Sequence, residues 1–189
     1  MRGQAKVALL VLVGFLVGIT GYGVVTYNRI VRLHEQIPAA WSQVENVLQR
    51  RNDLIPNLVE TVKGYAKHEQ TVFGDISKAL QSFNRATTIS EKIAANDTIT
   101  GLLSRILAVS LQYPNLKANE SFNRLQDELA GTENRIAVER MRFNETVQTY
   151  NSMVKTFPTN MIARLGGYTP SEAYFKAAEA AHSVPAVKF

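Results

Sequence analysis

The stretch Tyr27–Tyr65, YNRIVRLHEQIPAAWSQVENVLQRRNDLIPNLVETVKGY, decides the fold. Counted in steps of three and four, Tyr27, Ile30, His34, Ile37, Trp41, Val44, Leu48, Arg51, Ile55, Leu58, Val62 and Tyr65 fall on one line. The same line extends through Glu69, Val72, Ile76, Ala79 and Phe83. This is the spacing of a heptad seam, which buries itself against neighbouring helices at shallow crossing angles. Nowhere does a sustained period of two announce a strand. Pro38 can open a helix at its first turn, whereas Pro56 lies inside the pattern and frees the carbonyl of Asn52. Gly64 and Gly74 each weaken the later part by about 1 kcal/mol relative to alanine. A bent or segmented helix between about 27 and 84 is therefore expected.

Downstream, Thr87, Thr88 and Ser90 mark a turn, and Ser90 has Ile93 three residues later, so it makes no capping box. A second helix is expected over Thr98–Gln112, capped by Asp97 or Thr98 and stopped by Pro114. A third seam runs Phe122, Leu125, Leu129, Thr132, Ile136, Glu139, Phe143, Thr146, Tyr150, Met153 and Phe157. Asn119 is a good cap for it and Pro158 ends it, after about 57 Å of helix. Past Gly166 and Gly167, an amphipathic stretch begins near Ser171, with Ala173, Tyr174, Phe175, Ala177, Ala178 and Ala181, and closes at Pro185. The sum is an all-α body of about four helices, with no second domain expected.

Upstream, Val7–Val25 reads VALLVLVGFLVGITGYGVV, nineteen residues without a charge. As a helix it measures about 28 Å, close to a bilayer's hydrocarbon core of about 30 Å. The expected layout is a short tail over 1–6, a transmembrane helix over 7–26 and a helical body over 27–189. A cleaved signal peptide is the competing account, with Gly21-Tyr22-Gly23 the nearest approach to a cleavage site, but the helical pattern resumes without a polar linker. Arg2 and Lys6 on one side nearly cancel Arg29 and Arg32 on the other, and the α-amino group tips the balance to N-terminus inside. Gly14 and Gly18 form a G-x-x-x-G pair on which a second copy of the span could pack.

The 189 residues carry a formal charge of +5, are 46% hydrophobic and contain no cysteine. Disorder, a disulfide scaffold and thiol chemistry are thereby excluded. Arg2, Lys6 and Arg29 supply three of the positive charges, and from Ile30 onward 18 basic residues face 16 acidic ones. The body is nearly neutral, so nucleic acid is not expected as a partner, and the short basic clusters Arg50-Arg51 and Arg140 with Arg142 are interleaved with acids. Two His-Glu pairs, His34-Glu35 and His68-Glu69, would need a second histidine four residues on to hold zinc, and Pro38 and Val72 stand there instead. His182 is the third histidine. There is no G-x-S-x-G elbow and no phosphate loop. Asp127 and Glu128 are adjacent on a helix and diverge. Three Asn-x-Ser/Thr triplets occur, of which Asn144-Glu145-Thr146 lies mid-helix, a poor glycan acceptor. No catalytic, metal or cofactor-binding residues are expected, and no cofactor.

Polar residues inside the seams are more informative. His34, Arg51, Glu69, Thr132, Glu139 and Thr146 would be costly if buried without partners. Either they pair across helices and set the register, or the helices are open there and line a surface for a partner.

The run Arg50-Arg51-Asn52-Asp53-Leu54-Ile55-Pro56-Asn57-Leu58-Val59-Glu60-Thr61-Val62-Lys63-Gly64-Tyr65-Ala66 resembles the signature of the LemA family of bacterial membrane-anchored helical proteins. The likeness continues in order through Tyr113-Pro114-Asn115-Leu116, Thr132-Glu133-Asn134-Arg135-Ile136-Ala137, Arg140, Asn144, Tyr150-Asn151 and Phe157-Pro158. Pro38-Ala39 stands where acidic residues are commoner, and Phe143 replaces a frequent tyrosine. The resemblance implies one membrane span followed by an elongated antiparallel helical bundle, without known enzymatic activity. Members are linked to membrane organisation, including a magnetosome-forming relative, and to settings shared with membrane proteases. Arg50, Arg51, Asp53, Pro56, Asn57, Glu60, Asn134 and Arg135 are the candidate docking surface of the signature. The functional expectation is a non-enzymatic scaffold or adaptor in the bacterial inner membrane, binding membrane or envelope proteins. The alternative is a membrane-organising protein whose stretch around Tyr174-Phe175 also meets lipid.

Overall fold

The computed structural model describes residues 2–66 and 69–176. Its regular elements are all helices: α1 (Arg2–Lys63), α2 (Gln70–Arg85), α3 (Ile89–Ser110), α4 (Pro114–Lys117), α5 (Glu120–Lys155) and α6 (Thr159–Leu165). The architecture is all-α, with the short α4 and α6 added to the three longer patterns expected. His68, Ala177, Ala178, Ala181, His182 and Pro185 lie outside the described residues.

Helix α1 passes through both Pro38 and Pro56 without interruption. Each proline removes one backbone hydrogen bond. Both rings are exposed, while Ile37 and Ile55 beside them are buried, so the apolar face holds the helix together where its outer face is weakened. The expected segmentation falls at Gly64 instead: the amides of Tyr65 and Ala66 both return to the carbonyl of Val62, at 3.0 and 2.9 Å.

Helix α3 starts at Ile89, a full two turns ahead of the expected Thr98, because the capping box sits two residues before the Ser90 position considered above. Thr88 Oγ1 accepts from the Glu91 amide at 3.2 Å, and the Glu91 carboxylate accepts from the amides of Thr88 and Thr87 at 3.0 and 2.9 Å. Helix α3 stops at Ser110, and Pro114 opens α4 in place of closing α3. Asn119 caps α5 as expected, its Oδ1 accepting from the Phe122 amide at 3.0 Å. At the end of α6 the amides of Gly167 and Tyr168 donate to the carbonyls of Arg164 and Ala163, at 3.1 and 2.9 Å. This is a Schellman motif, and Gly167 takes its left-handed position with φ 76°.

Contacts gather the chain into two units, Met1–Ala40 with Glu145–Ser171, and Trp41–Asn144 with Glu172–Phe189. In the second unit, α1 places Glu45 on Lys92 and Arg51 on Asn96, so residue numbers rise together on both helices and α3 runs parallel to α1. Trp41 meets Phe143 and Arg50 meets Glu128, so α5 runs antiparallel to α1. Helices α2 and α3 pack on each other across the Ala86–Thr88 turn. The buried set, from Val44, Leu48, Ile55 and Leu58 through Ile76, Phe83, Ile99, Ile106 and Phe143, follows the seams.

The expected amphipathic stretch from Ser171 is described as far as residue 176, and residues 171–176 have no regular secondary structure. Asparagine side chains replace the helix's own bonds. In the first unit Asn151 takes the Ser171 amide on Oδ1 and gives Nδ2 to the Ser171 carbonyl, both at 2.8 Å. In the second, Asn144 does the same to Phe175 at 3.0 and 2.9 Å. Phe175 is thereby seated against Trp41, Phe143 and the Arg140 guanidinium, 4.7 Å above its ring, and is buried.

Thr88→Ala removes the cap of α3 and lowers stability by about 1 kcal/mol in chemical denaturation. The cap is also pH-dependent. The Thr88 amide, then that of Thr87, holds the Glu91 carboxyl below its ordinary value. A depressed carboxylate contributes stability above its unfolded pKa of about 4.3, and that contribution is lost as the pH falls through the folded value. Amide exchange in the first turn of α3 therefore quickens below this pH, relative to the rest of the helix; a uniform response contradicts the assignment.

Candidate functional site

The signature run of α1 splits between two faces. Arg50, Asp53, Asn57 and Glu60, spaced by three and four, form an exposed polar stripe, with the Pro56 ring exposed beside them. Arg50 Nη2 reaches Glu128 Oε2 of α5 at 3.2 Å, Gln49 Nε2 donates to Asp53 Oδ1 at 2.7 Å, and Lys63 Nζ donates to Glu60 Oε1 at 2.8 Å. These contacts are solvent-screened and each adds little to stability, at most about 1 kcal/mol. They tie Arg50, Asp53 and Glu60 to neighbouring side chains. Asn134 and Arg135 are exposed on α5.

Arg51, expected with this surface, belongs inside: its side chain is 1% exposed. It follows the seam position between Leu48 and Ile55, and the helix turns it away from Arg50 by one residue's rotation. Its Nη1 donates to Thr100 Oγ1 at 2.9 Å and to Glu133 Oε2 at 3.1 Å, and Nη2 donates to Asn96 Oδ1 at 2.6 Å. One guanidinium thus ties α1 to α3 and α5. Burial pulls its pKa below the ordinary arginine value, against the attraction of Glu133, and the group stays cationic. Its Nε has no hydrogen-bond partner, nor do the two amide atoms of the neighbouring buried Asn52. Each such buried group costs about 1–3 kcal/mol. A cavity of about 300 Å³ adjoins the cluster, lined by Arg51, Thr100, Leu103, Leu107, Leu129 and Glu133, among others.

Thr132 and Glu139 are met within their own helix. Thr132 is buried and bonds the Leu129 carbonyl of its own helix at 2.8 Å. Glu139 pairs with Arg142 one turn on, at 2.7 Å. His34 is exposed, its ring edge against Tyr150 and Tyr168 at 5.6 and 5.4 Å. Of these seam residues, Arg51 carries hydrogen bonds to two other helices. Its partners Asn96 and Glu133 stand outside the expected site residues. Asn96 lies on the line Ile93, Asn96, Ile99 and Leu103, a polar member of an apolar stripe that starting the helix at Thr98 leaves out. Among the described residues, no group of three His, Asp or Glu side chains is placed to hold a metal.

The large apolar side chains of the span, from Leu9 to Val25, are exposed around the whole circumference of α1. One segment of this helix is long and apolar enough to cross a membrane, and it fits membrane anchoring.

Arg51→Leu, in the full chain in detergent micelles, lowers unfolding stability by about 1–3 kcal/mol, because the buried Asn96 carboxamide oxygen loses its donor while the half-exposed Glu133 turns to water. An unchanged denaturation midpoint contradicts the hub.

Magnetosome protein MamQ of Magnetospirillum gryphiswaldense is 26% identical, over 98% of this chain and 75% of its own length. Magnetosome protein MamQ 2 of Paramagnetospirillum magneticum is 25% identical, over 93% and 74%. Protein LemA of Metamycoplasma hominis is 26% identical, over 72% and 63%. The LemA family model matches residues 40–189, which include the arginine hub, the polar stripe and both asparagine clasps: the chain belongs to the LemA family.

Proposed function

We propose that the protein is a membrane-anchored adaptor of the bacterial inner membrane that binds other proteins and catalyses no reaction. The observation that carries this is the division of the signature run. Arg51 is spent inside the second unit, which leaves Arg50, Asp53, Asn57 and Glu60 as an ordered, exposed, charged stripe on a helix whose other faces are committed to packing. Mixed charge on a rigid helix favours a protein partner of complementary charge over nucleic acid or a uniformly anionic surface. Membrane and envelope proteins, membrane proteases among them, are the partner class. The span sits N-terminus inside, and the open face of Gly14 and Gly18 offers a route to self-association, since a Cβ built at either meets nothing within 4 Å.

A second reading, a membrane-organising protein, is supported by the similarity to proteins named as magnetosome proteins. Its lipid contact cannot be Phe175, which is buried.

A photo-crosslinking residue at Asn57, in cells, yields a discrete adduct with a second polypeptide, and the same residue at Lys78 on α2 does not. Asp53→Ala with Glu60→Ala removes the adduct while changing stability by no more than about 0.5 kcal/mol per site. Equal labelling at both positions contradicts the stripe as the docking face.

A further inference from the structure

The first unit exposes three large apolar side chains where α5 turns into α6. Phe157 is 74% exposed, Met161 58% and Leu165 90%. Met161 and Leu165 are four apart on one face of α6, and Ala163, on the opposite face, is fully buried. The helix is therefore amphipathic with its larger apolar side turned outward, the reverse of what an aqueous surface selects.

The place of this elbow along α1 supplies a reason. Gly166 follows α6 and lies so close to α1 that a Cβ there would stand 2.9 Å from Tyr27 Cε2. The Tyr168 ring meets the Tyr27 ring at 6.0 Å. Arg29 and Leu33 share the lining of a groove of about 450 Å³ with Thr156 and Thr159 at the start of the elbow. The apolar span ends at Val25, so Tyr27 and Arg29 stand about 3 and 6 Å beyond the hydrocarbon edge at 1.5 Å per residue. A headgroup layer is about 5–7 Å deep on each side. What touches Tyr27 and Arg29 lies within that layer.

The chemistry at the elbow suits this depth. Lys155 and Arg164 flank the apolar residues and are exposed, as is Arg29. Their stems can lie along acyl chains while their charges meet lipid phosphates. The elbow's companions are tyrosines, amphipathic rings favoured at the membrane–water boundary.

We propose that residues 156–165 form a second membrane contact, in which Phe157, Met161 and Leu165 enter the interface of the bilayer that holds the span, with Lys155, Arg164 and Arg29 on anionic headgroups. The contact would hold the first unit against the membrane surface. It rests on the anchored reading above, and on the elbow being seated by Tyr27, Gly166 and Tyr168 in register with the end of the span.

The cysteine-free chain permits a direct test. Single Met161→Cys, Leu165→Cys, Glu145→Cys and Val17→Cys variants of the full chain are spin-labelled in bilayers of phosphatidylcholine and phosphatidylglycerol. Label accessibility to oxygen and to a water-soluble nickel complex is then measured. Glu145 is exposed in the same unit, further along α5 from the elbow. The expected result is severalfold lower nickel accessibility at 161 and 165 than at 145, with raised oxygen accessibility, and full shielding at 17. Shielding at 17 with the elbow as open to nickel as 145 overturns the second contact alone. Nickel access at 17 overturns the anchoring on which it rests.

Discussion

A guanidinium removed from water must be met on every side that matters, and Arg51 is met by three side chains from two other helices. An ion pair of this kind adds little stability over an apolar residue of similar size, yet once present it strongly penalises any arrangement that breaks it. Sliding α1 by one residue would carry Arg51 away from Asn96 and Thr100 and leave a charge without partners. The hub therefore sets register where the surrounding leucines and isoleucines, which interchange with small loss, would not. It also decides what the rest of the signature can do. With Arg51 turned inward, the stripe from Arg50 to Glu60 is turned outward and held by short-range pairs.

A second constraint acts at the far end of the sequence. Backbone that leaves a helix still needs partners for its amides and carbonyls. Asn151 and Asn144 answer this with carboxamides that imitate a backbone neighbour, one in each unit, so Ser171 and Phe175 are seated without regular secondary structure. A helix there would have turned Phe175 out of the Trp41–Phe143 cluster. Of the described residues 171–176, Phe175 is the one whose side chain is buried.

The long seams were legible because heptad spacing leaves a strong trace over many turns. Buried Val44, Leu48, Ile55, Leu58, Ile76 and Phe83 all lie on the line drawn from Tyr27. Neither proline ends α1, because both fall on exposed positions, where a missing hydrogen bond is tolerated. The true start of α3 is legible in the sequence as well, since Thr88 and Glu91 have the spacing of a capping box. Pairwise facts were out of reach. Arg51 could be placed in a seam, but its partners come from residues 45 and 82 positions away, and no local pattern links them. The same holds for the Phe157–Leu165 elbow. Its apolar residues are unremarkable in sequence, and they acquire meaning once Gly166 and Tyr168 are seen against Tyr27.

Membership in the LemA family and an apolar span that fits anchoring place this chain with membrane-linked helical proteins, and the arginine hub explains how its most distinctive segment is divided between structure and surface. The most direct test of that account is a double-mutant cycle on Arg51→Leu and Asn96→Leu, read by chemical denaturation of the full chain in micelles. If the guanidinium fixes the packing of α1 on α3, the two losses are non-additive, with a coupling energy of about 1–3 kcal/mol. Losses that add to within about 0.5 kcal/mol would contradict it.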